Sequence, residues 1–152
     1  MSGTESLKKK FVPSEELLRH FTQIALIGQH VSHSPSGGDA DFKQDGLRSY
    51  ALYRNLGVDA ATNGLVQAHV LKMVEPYSEK ARIDHIHVTV FQMIYVLKGS
   101  TTISFDGGEP VKMMLGSCWT QPPSIRHVVL DYSDDFDALE ILLPADFDTV
   151  NF

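Results

Sequence analysis

His85-Ile86-His87-Val88-Thr89-Val90-Phe91-Gln92-Met93-Ile94-Tyr95-Val96-Leu97-Lys98-Gly99 is the stretch on which the fold reading turns. It is dense in β-branched and aromatic residues, which suit a pleated, half-buried surface, and it ends on glycine. His85–Val88 and Gln92–Leu97 read as strands. In a strand alternate side chains share a face, so His85 and His87 point the same way, and two adjacent imidazoles can hold one metal ion. Taken alone, the pair reads more simply as a polar strand end with two surface histidines.

Outward from this stretch the texture persists. Strands are expected over Arg48–Leu56, Gly64–Val74, Thr101–Phe105, Val111–Leu115, Ser117–Gln121, His127–Asp131 and Ala138–Leu143. Turns fall at Gly57–Asn63, at the hairpin signal Asp106-Gly107-Gly108 and at Ser133-Asp134-Asp135, and Pro76–Asp84 reads as a charged connection. Many short strands with Gly/Pro punctuation predict an all-β sandwich or barrel. Before Leu47 the pattern differs. Residues 1–12 read as a loose basic start, Ser14 with Glu15 and Glu16 as a helix start running to about Gly28, and Ser32–Gly46 as a polar loop. The expected organisation is one domain: residues 1–46 as a helix-and-loop extension packed on a barrel of residues 47–152.

The 152 residues are enough for one core. Of these, 43% are hydrophobic and 21% charged, ordinary globular values. Thirteen basic against nineteen acidic residues give a net charge of −6, which argues against a nucleic-acid partner. No window has the run of apolar residues that a membrane helix needs. Lys8-Lys9-Lys10 is not followed by the apolar stretch of a secretory signal. A single cysteine, Cys118, makes no internal disulfide and fits a reducing compartment, so a cytoplasmic location is expected.

The spacing around the histidines resembles the two motifs of the cupin superfamily. The first is Gly, five residues, His-x-His, three or four residues, Glu, six residues, Gly; here it reads Glu79, His85-Ile86-His87, Gln92, Gly99. The second is Gly, five residues, Pro-x-Gly, two residues, His, three residues, Asn; here it reads Gly116, Pro122-Pro123-Ser124, His127, Asp131. Sixteen residues separate Gly99 from Gly116, like the short inter-motif loop of small cupins. Glu79, Gln92, Ser124 and Asp131 depart from the pattern, and of these only Gln92 stands at a family ligand position.

The resemblance implies a cupin-type jelly-roll β-barrel with metal ligands His85, His87, Gln92 and His127. Three neutral imidazoles suit Fe(II), Zn, Ni, Cu or Mn, and an amide oxygen is a weaker neutral donor. With no ligating carboxylate the ion keeps its full charge, which favours an anionic or chelating small-molecule substrate of the enolate, catecholate or carboxylate type. The leading expectation is an Fe(II) dioxygenase. The alternatives are a Lewis-acid isomerase or lyase using Zn, Mn or Ni, for which the sequence offers no general base, and a non-enzymatic small-molecule binder. His69, Trp119, Gln121 and Arg126 are candidate pocket residues. His69 reads more simply as a satisfied core histidine and Arg126 as an exposed loop residue. Cys118 and Trp119 lie on opposite faces, so one of them faces inward. Met93, Ile94, Tyr95, Met113 and Met114 read as packing. Small cupins often pair as dimers, and a homodimer is expected.

Overall fold

A computed structural model describes residues 15, 16, 19, 23 and 27–152. The expected N-terminal helix falls mostly on residues outside this set. Ten strands follow in chain order: β1 (Ala51–Asn55), β2 (Gln67–Met73), β3 (His85–His87), β4 (Phe91–Lys98), β5 (Ser100–Phe105), β6 (Val111–Met114), β7 (Cys118–Thr120), β8 (His127–Tyr132), β9 (Asp137–Leu143) and β10 (Thr149–Asn151). A single helical turn, Val58–Ala61, fills the expected turn before β2.

The strands form two five-stranded sheets, ordered β1-β2-β9-β4-β7 and β10-β3-β8-β5-β6. Every strand pair is antiparallel. None joins one sheet to the other, so the hydrogen bonding describes a two-sheet sandwich and does not close the expected barrel. Period-2 alternation sets the inner faces. On β4, Gln92, Ile94 and Val96 are buried while Phe91, Tyr95 and Leu97 lie outside. Tyr95, expected to pack inside, is 39% exposed because it sits one position out of phase with Ile94 and Val96. The exposed Met114 departs from the expected packing in the same way, whereas Met113, one position earlier, joins the core.

The shared core draws Ile94, Val96 and Ala138 from one sheet and Met113 and Tyr132 from the other. Tyr132 stacks on Tyr50 at 5.9 Å between ring centroids and meets Tyr77 edge-on at 5.4 Å. Its hydroxyl donates to the Glu75 carbonyl at 3.1 Å, so the buried polar tip is satisfied.

The motif glycines have mechanical reasons. Gly99, the whole connection between β4 and β5, has φ +67°, and a Cβ there would lie 2.2 Å from Ser133 Oγ and 3.0 Å from the Phe136 Cα. Gly116 has φ +84°. Ser124, where the second motif has glycine, keeps the left-handed backbone, with φ +56°. The polar loop before Leu47 is held against β1 by reciprocal backbone hydrogen bonds between Lys43 and Tyr53, both 2.8 Å. Arg54 also donates to Ser34 Oγ at 3.2 Å.

Candidate metal centre and its cavity

The inner faces enclose a cavity of about 420 Å³ lined by residues of both sheets. β3 presents His85 and His87 into it. The β3–β8 register sets His85 opposite His127, so pairing between strands far apart in sequence brings the third imidazole to the first two. The ring centroids are 4.1 Å apart for His85–His127, 4.9 Å for His85–His87 and 5.1 Å for His87–His127. One ligand atom from each ring lies within 4.8 Å of the others. All three residues are buried.

Each ring has its Nδ1 committed elsewhere. Nδ1–H of His85 donates to the Ile83 carbonyl at 2.7 Å, that of His127 to the Ile125 carbonyl at 3.0 Å, and that of His87 to Thr149 Oγ1 at 2.8 Å. The two carbonyls, which only accept, fix the Nδ1–H tautomer of His85 and His127, and the Thr149 hydroxyl can accept from His87 in the same tautomer. Each Nε2 is then the atom turned to an ion, with the Arg48 and Gln121 N–H groups as its partners on His85 and His127 in the metal-free chain. Burial disfavours the charged rings. It pushes His85 down to about 3, helped by the Arg48 and His127 charges, and His87 down to about 4. His127 is lowered too, mainly by burial. Neutral imidazole is the form a metal requires, and the donor set therefore fits a divalent transition ion.

The wall beside the histidines is a directional hydrogen-bond relay. Trp119 Nε1–H, which can only donate, gives to Gln121 Oε1 at 3.0 Å. That turns the Gln121 amide nitrogen toward Gln92 Oε1 at 3.3 Å and His127 Nε2 at 3.2 Å. Gln92 Nε2 in turn donates to Glu140 Oε1 at 2.7 Å, and His69 Nε2–H donates to Glu140 Oε2 at 2.7 Å. The donor-only indole at one end and the acceptor-only carboxylate at the other fix both amide orientations. With its amide nitrogen held by Glu140, Gln92 keeps only its Oε1, which accepts from Gln121, for an ion or a substrate. Burial pushes the Glu140 carboxyl up, but the His69 hydrogen bond and charge, His87 and the Gln92 amide outweigh it and hold the group below the usual carboxylate range. Tyr53 meets His69 edge-on at 5.1 Å.

His85, His87, His127, Gln92, His69, Trp119 and Gln121 all line this cavity. Arg126 does not. It pairs with Asp84, Nη2 to Oδ2 at 2.7 Å, and lies over the Phe152 ring at 4.6 Å. Adjacent strand positions face opposite ways, so a residue next to an inward His127 points out. Of the pair Cys118 and Trp119, Trp119 faces in and Cys118 is exposed. Three site residues were not found in the sequence. Glu140 carries the plainest signal, a carboxylate inside the apolar run Ala138-Leu139-Glu140-Ile141-Leu142. Arg48 enters from the segment before β1. Thr149 lies on β10, too short a strand to read from pattern.

No family model and no curated protein sequence matches the chain. Solved structures do match in shape. The polyketide cyclase RemF from Streptomyces resistomycificus aligns with TM-score 0.58 at 17% identity, over 78% of this chain and 84% of that one. KdgF from Halomonas sp. aligns with TM-score 0.54 at 16% identity, over 68% and 87%. Salicylate 1,2-dioxygenase from Pseudoaminobacter salicylatoxidans aligns with TM-score 0.54 at 11% identity, over 69% of this chain but only 30% of that one. The chain likewise spans less than half, 43%, of a DMSP lyase from Ruegeria pomeroyi. No helix among the described residues is long and apolar enough to cross a membrane. The sheet order, the three convergent imidazoles and these alignments agree that the chain has the cupin fold, with a three-histidine cluster able to hold a metal ion in its cavity.

Proposed function

We propose that the chain is a metal-dependent enzyme of the Fe(II) dioxygenase type, acting on a small substrate that chelates through enolate, catecholate or carboxylate oxygens. The carrying observation is the convergence of one ring nitrogen from each of three histidines whose Nδ1 atoms all have hydrogen-bond partners. His85, His87 and His127 would hold the ion, with Gln92 Oε1 as a neutral fourth donor or a hydrogen-bond partner of the substrate. A bound ion would supply Lewis acidity and, if iron, a site for oxygen chemistry. The chain's own part is to keep the imidazoles neutral, to orient Gln92 through Glu140 and Gln121, and to exclude bulk water. The structural neighbours include a dioxygenase and a cyclase, and a metal cupin enzyme is the reading common to that range.

The His69–Glu140 pair favours a second reading. A Lewis-acid isomerase or lyase needs a proton acceptor, and this pair supplies one on the cavity wall. Glu140 fixes the Nε2–H tautomer of His69, leaving Nδ1, 3.4 Å from the Gln67 amide, as the basic atom. Loading the metal-free protein anaerobically with Fe(II) or Zn(II) separates the readings. Oxygen uptake with 1,3-dicarbonyls or catechols in the Fe(II) form alone supports the dioxygenase. Turnover in the Zn(II) form that His69→Gln abolishes supports the second. No turnover in either form leaves a binding module. The homodimer belongs to the same proposal, and sedimentation equilibrium at twice the 16.9 kDa chain mass is its expected result.

A further inference from the structure

Arg48 has an unusual set of neighbours. Its guanidinium lines the cavity, and Nη2 donates to His85 Nε2 at 2.6 Å, the lone pair that an ion would use. It makes none of the ion pairs found among the described residues, which join Arg19 to Glu15, His69 to Glu140, Lys72 to Asp39, Lys80 to Glu75 and Arg126 to Asp84. Of the three carboxylates that line the cavity, Glu140 is engaged on both oxygens by His69 and Gln92, and Asp45 and Asp59 make no ion pair with Arg48. A guanidinium is always charged and keeps several donors in a planar fork that matches a carboxylate. Beside a divalent ion on the same histidines, it would face a second positive charge across a low-dielectric space, and an anion between them relieves both. Asp45, Asn55, Asp59, Gln67 and Thr101 add polar groups to the lining, while Leu71, Met73, Ile94, Ile103, Val129 and Phe136 give it an apolar part. That part suits the hydrocarbon portion of a small organic acid.

We propose that Arg48 is the anchor for the carboxylate of the substrate, and that in the metal-free protein its Nη2 holds the His85 lone pair until an ion takes it. The substrate class is a small organic monocarboxylate with an apolar body. The assignment rests on the three-histidine centre of the proposed function but not on either reaction assigned to it. It also predicts opposite effects of one substitution. Removing the guanidinium weakens carboxylate binding and strengthens metal binding, because a competing donor and a positive charge leave His85 together.

The test uses the full chain, metal-free and zinc-loaded, with benzoate and its uncharged isostere benzamide as probes in isothermal titration calorimetry. Wild type is expected to bind benzoate at least 10-fold more tightly than benzamide, a discrimination of the size a charge-assisted hydrogen bond gives. Arg48→Gln is expected to lose that preference and leave benzamide unchanged, with Arg48→Lys in between. A competitive zinc titration is expected to show Arg48→Gln binding zinc at least as tightly as wild type. Equal benzoate affinity in wild type and Arg48→Gln overturns the anchor, as does wild type binding neither probe. A parallel loss of zinc in Arg48→Gln also overturns it, since Arg48 would then be supporting the imidazole. If wild type binds no zinc, the metal reading fails separately. The metal-free benzoate titration then still decides Arg48, with loss of binding in Arg48→Gln supporting it and no difference refuting it.

Discussion

Replacing Glu140 tests the relay that orients the cavity wall. Its two oxygens accept from two buried donors, His69 Nε2–H and the Gln92 amide, each at 2.7 Å. Gln92 is 2% exposed and His69 9%, so water cannot readily replace the lost acceptor. Glu140→Ala strands both donors. At about 1–3 kcal/mol for each unsatisfied buried group, the expected loss is about 2–6 kcal/mol. Glu140→Gln keeps the volume but offers one acceptor for two donors. Flipping Gln92 to compensate turns its NH2 onto the Gln121 NH2, and Gln121 cannot flip without facing the Trp119 N–H with its own nitrogen. His69 can instead move its proton to Nδ1 and accept from the new amide at Nε2, so Glu140→Gln loses the charge assistance of the carboxylate rather than a hydrogen bond, costing about 1 kcal/mol. Urea unfolding of the metal-free protein, followed by the single tryptophan, measures both. The expected order is wild type, then Glu140→Gln, then Glu140→Ala. A Glu140→Ala protein within about 0.5 kcal/mol of wild type, the range of an uninvolved surface substitution, would refute the relay.

Acidification should destabilise the metal-free fold in a defined window. His85 and His87 titrate near 3 and 4 in the folded chain, well below the ordinary histidine value, so the unfolded chain takes up protons first. Their contribution is complete above about pH 6.5 and is lost as pH falls toward 4 and 3, at about 1.4 kcal/mol per pH unit for each ring. A flat urea midpoint between pH 7 and 5 contradicts this. Thr149→Val removes the Nδ1 partner of His87 and should weaken zinc binding by about 10–100-fold in a chelator competition, while unchanged affinity would remove Thr149 from the site. Ser124→Gly should stabilise the chain by up to about 1 kcal/mol by relieving a left-handed backbone. Gly99→Ala should cost about 1–3 kcal/mol, since strain and the clash with Ser133 and Phe136 add. Equal stability of these two variants would contradict the reading of the motif glycines.

Much of the centre was legible because local rules produce it. Strand alternation turns His85 and His87 inward together, and the positive φ of Gly99 and Gly116 explains two glycines of the motif spacing. The position of His127 came from resemblance, and its physical cause, the register against His85, is a long-range pairing that no local pattern contains. Glu140 escaped for the same reason. On β9, between β2 and β4, it lies opposite His69 and diagonal to Gln92. Arg48 reaches the cavity from a connecting segment, where side-chain direction has no period to read. The strand expected to begin at Arg48 begins at Ala51 instead, because residues 49 and 50 form a turn with the Arg48 carbonyl accepting the Ala51 N–H at 3.2 Å. Arg126 shows the converse case, with the exposed-loop reading the one the structure matches. Nearness in sequence to His127 suggested the pocket, and alternation sent it to Asp84 on the surface.

Metal content is the most direct test of the central claim. Protein purified without a chelating column, and the same protein reconstituted anaerobically with Fe(II), Zn, Mn or Ni, should hold close to one ion per chain by elemental analysis. His87→Ala should lose it while keeping the far-ultraviolet signature of the β-fold. Metal-free protein after reconstitution, or an ion retained undiminished in His87→Ala, would contradict a metal centre built on these three histidines.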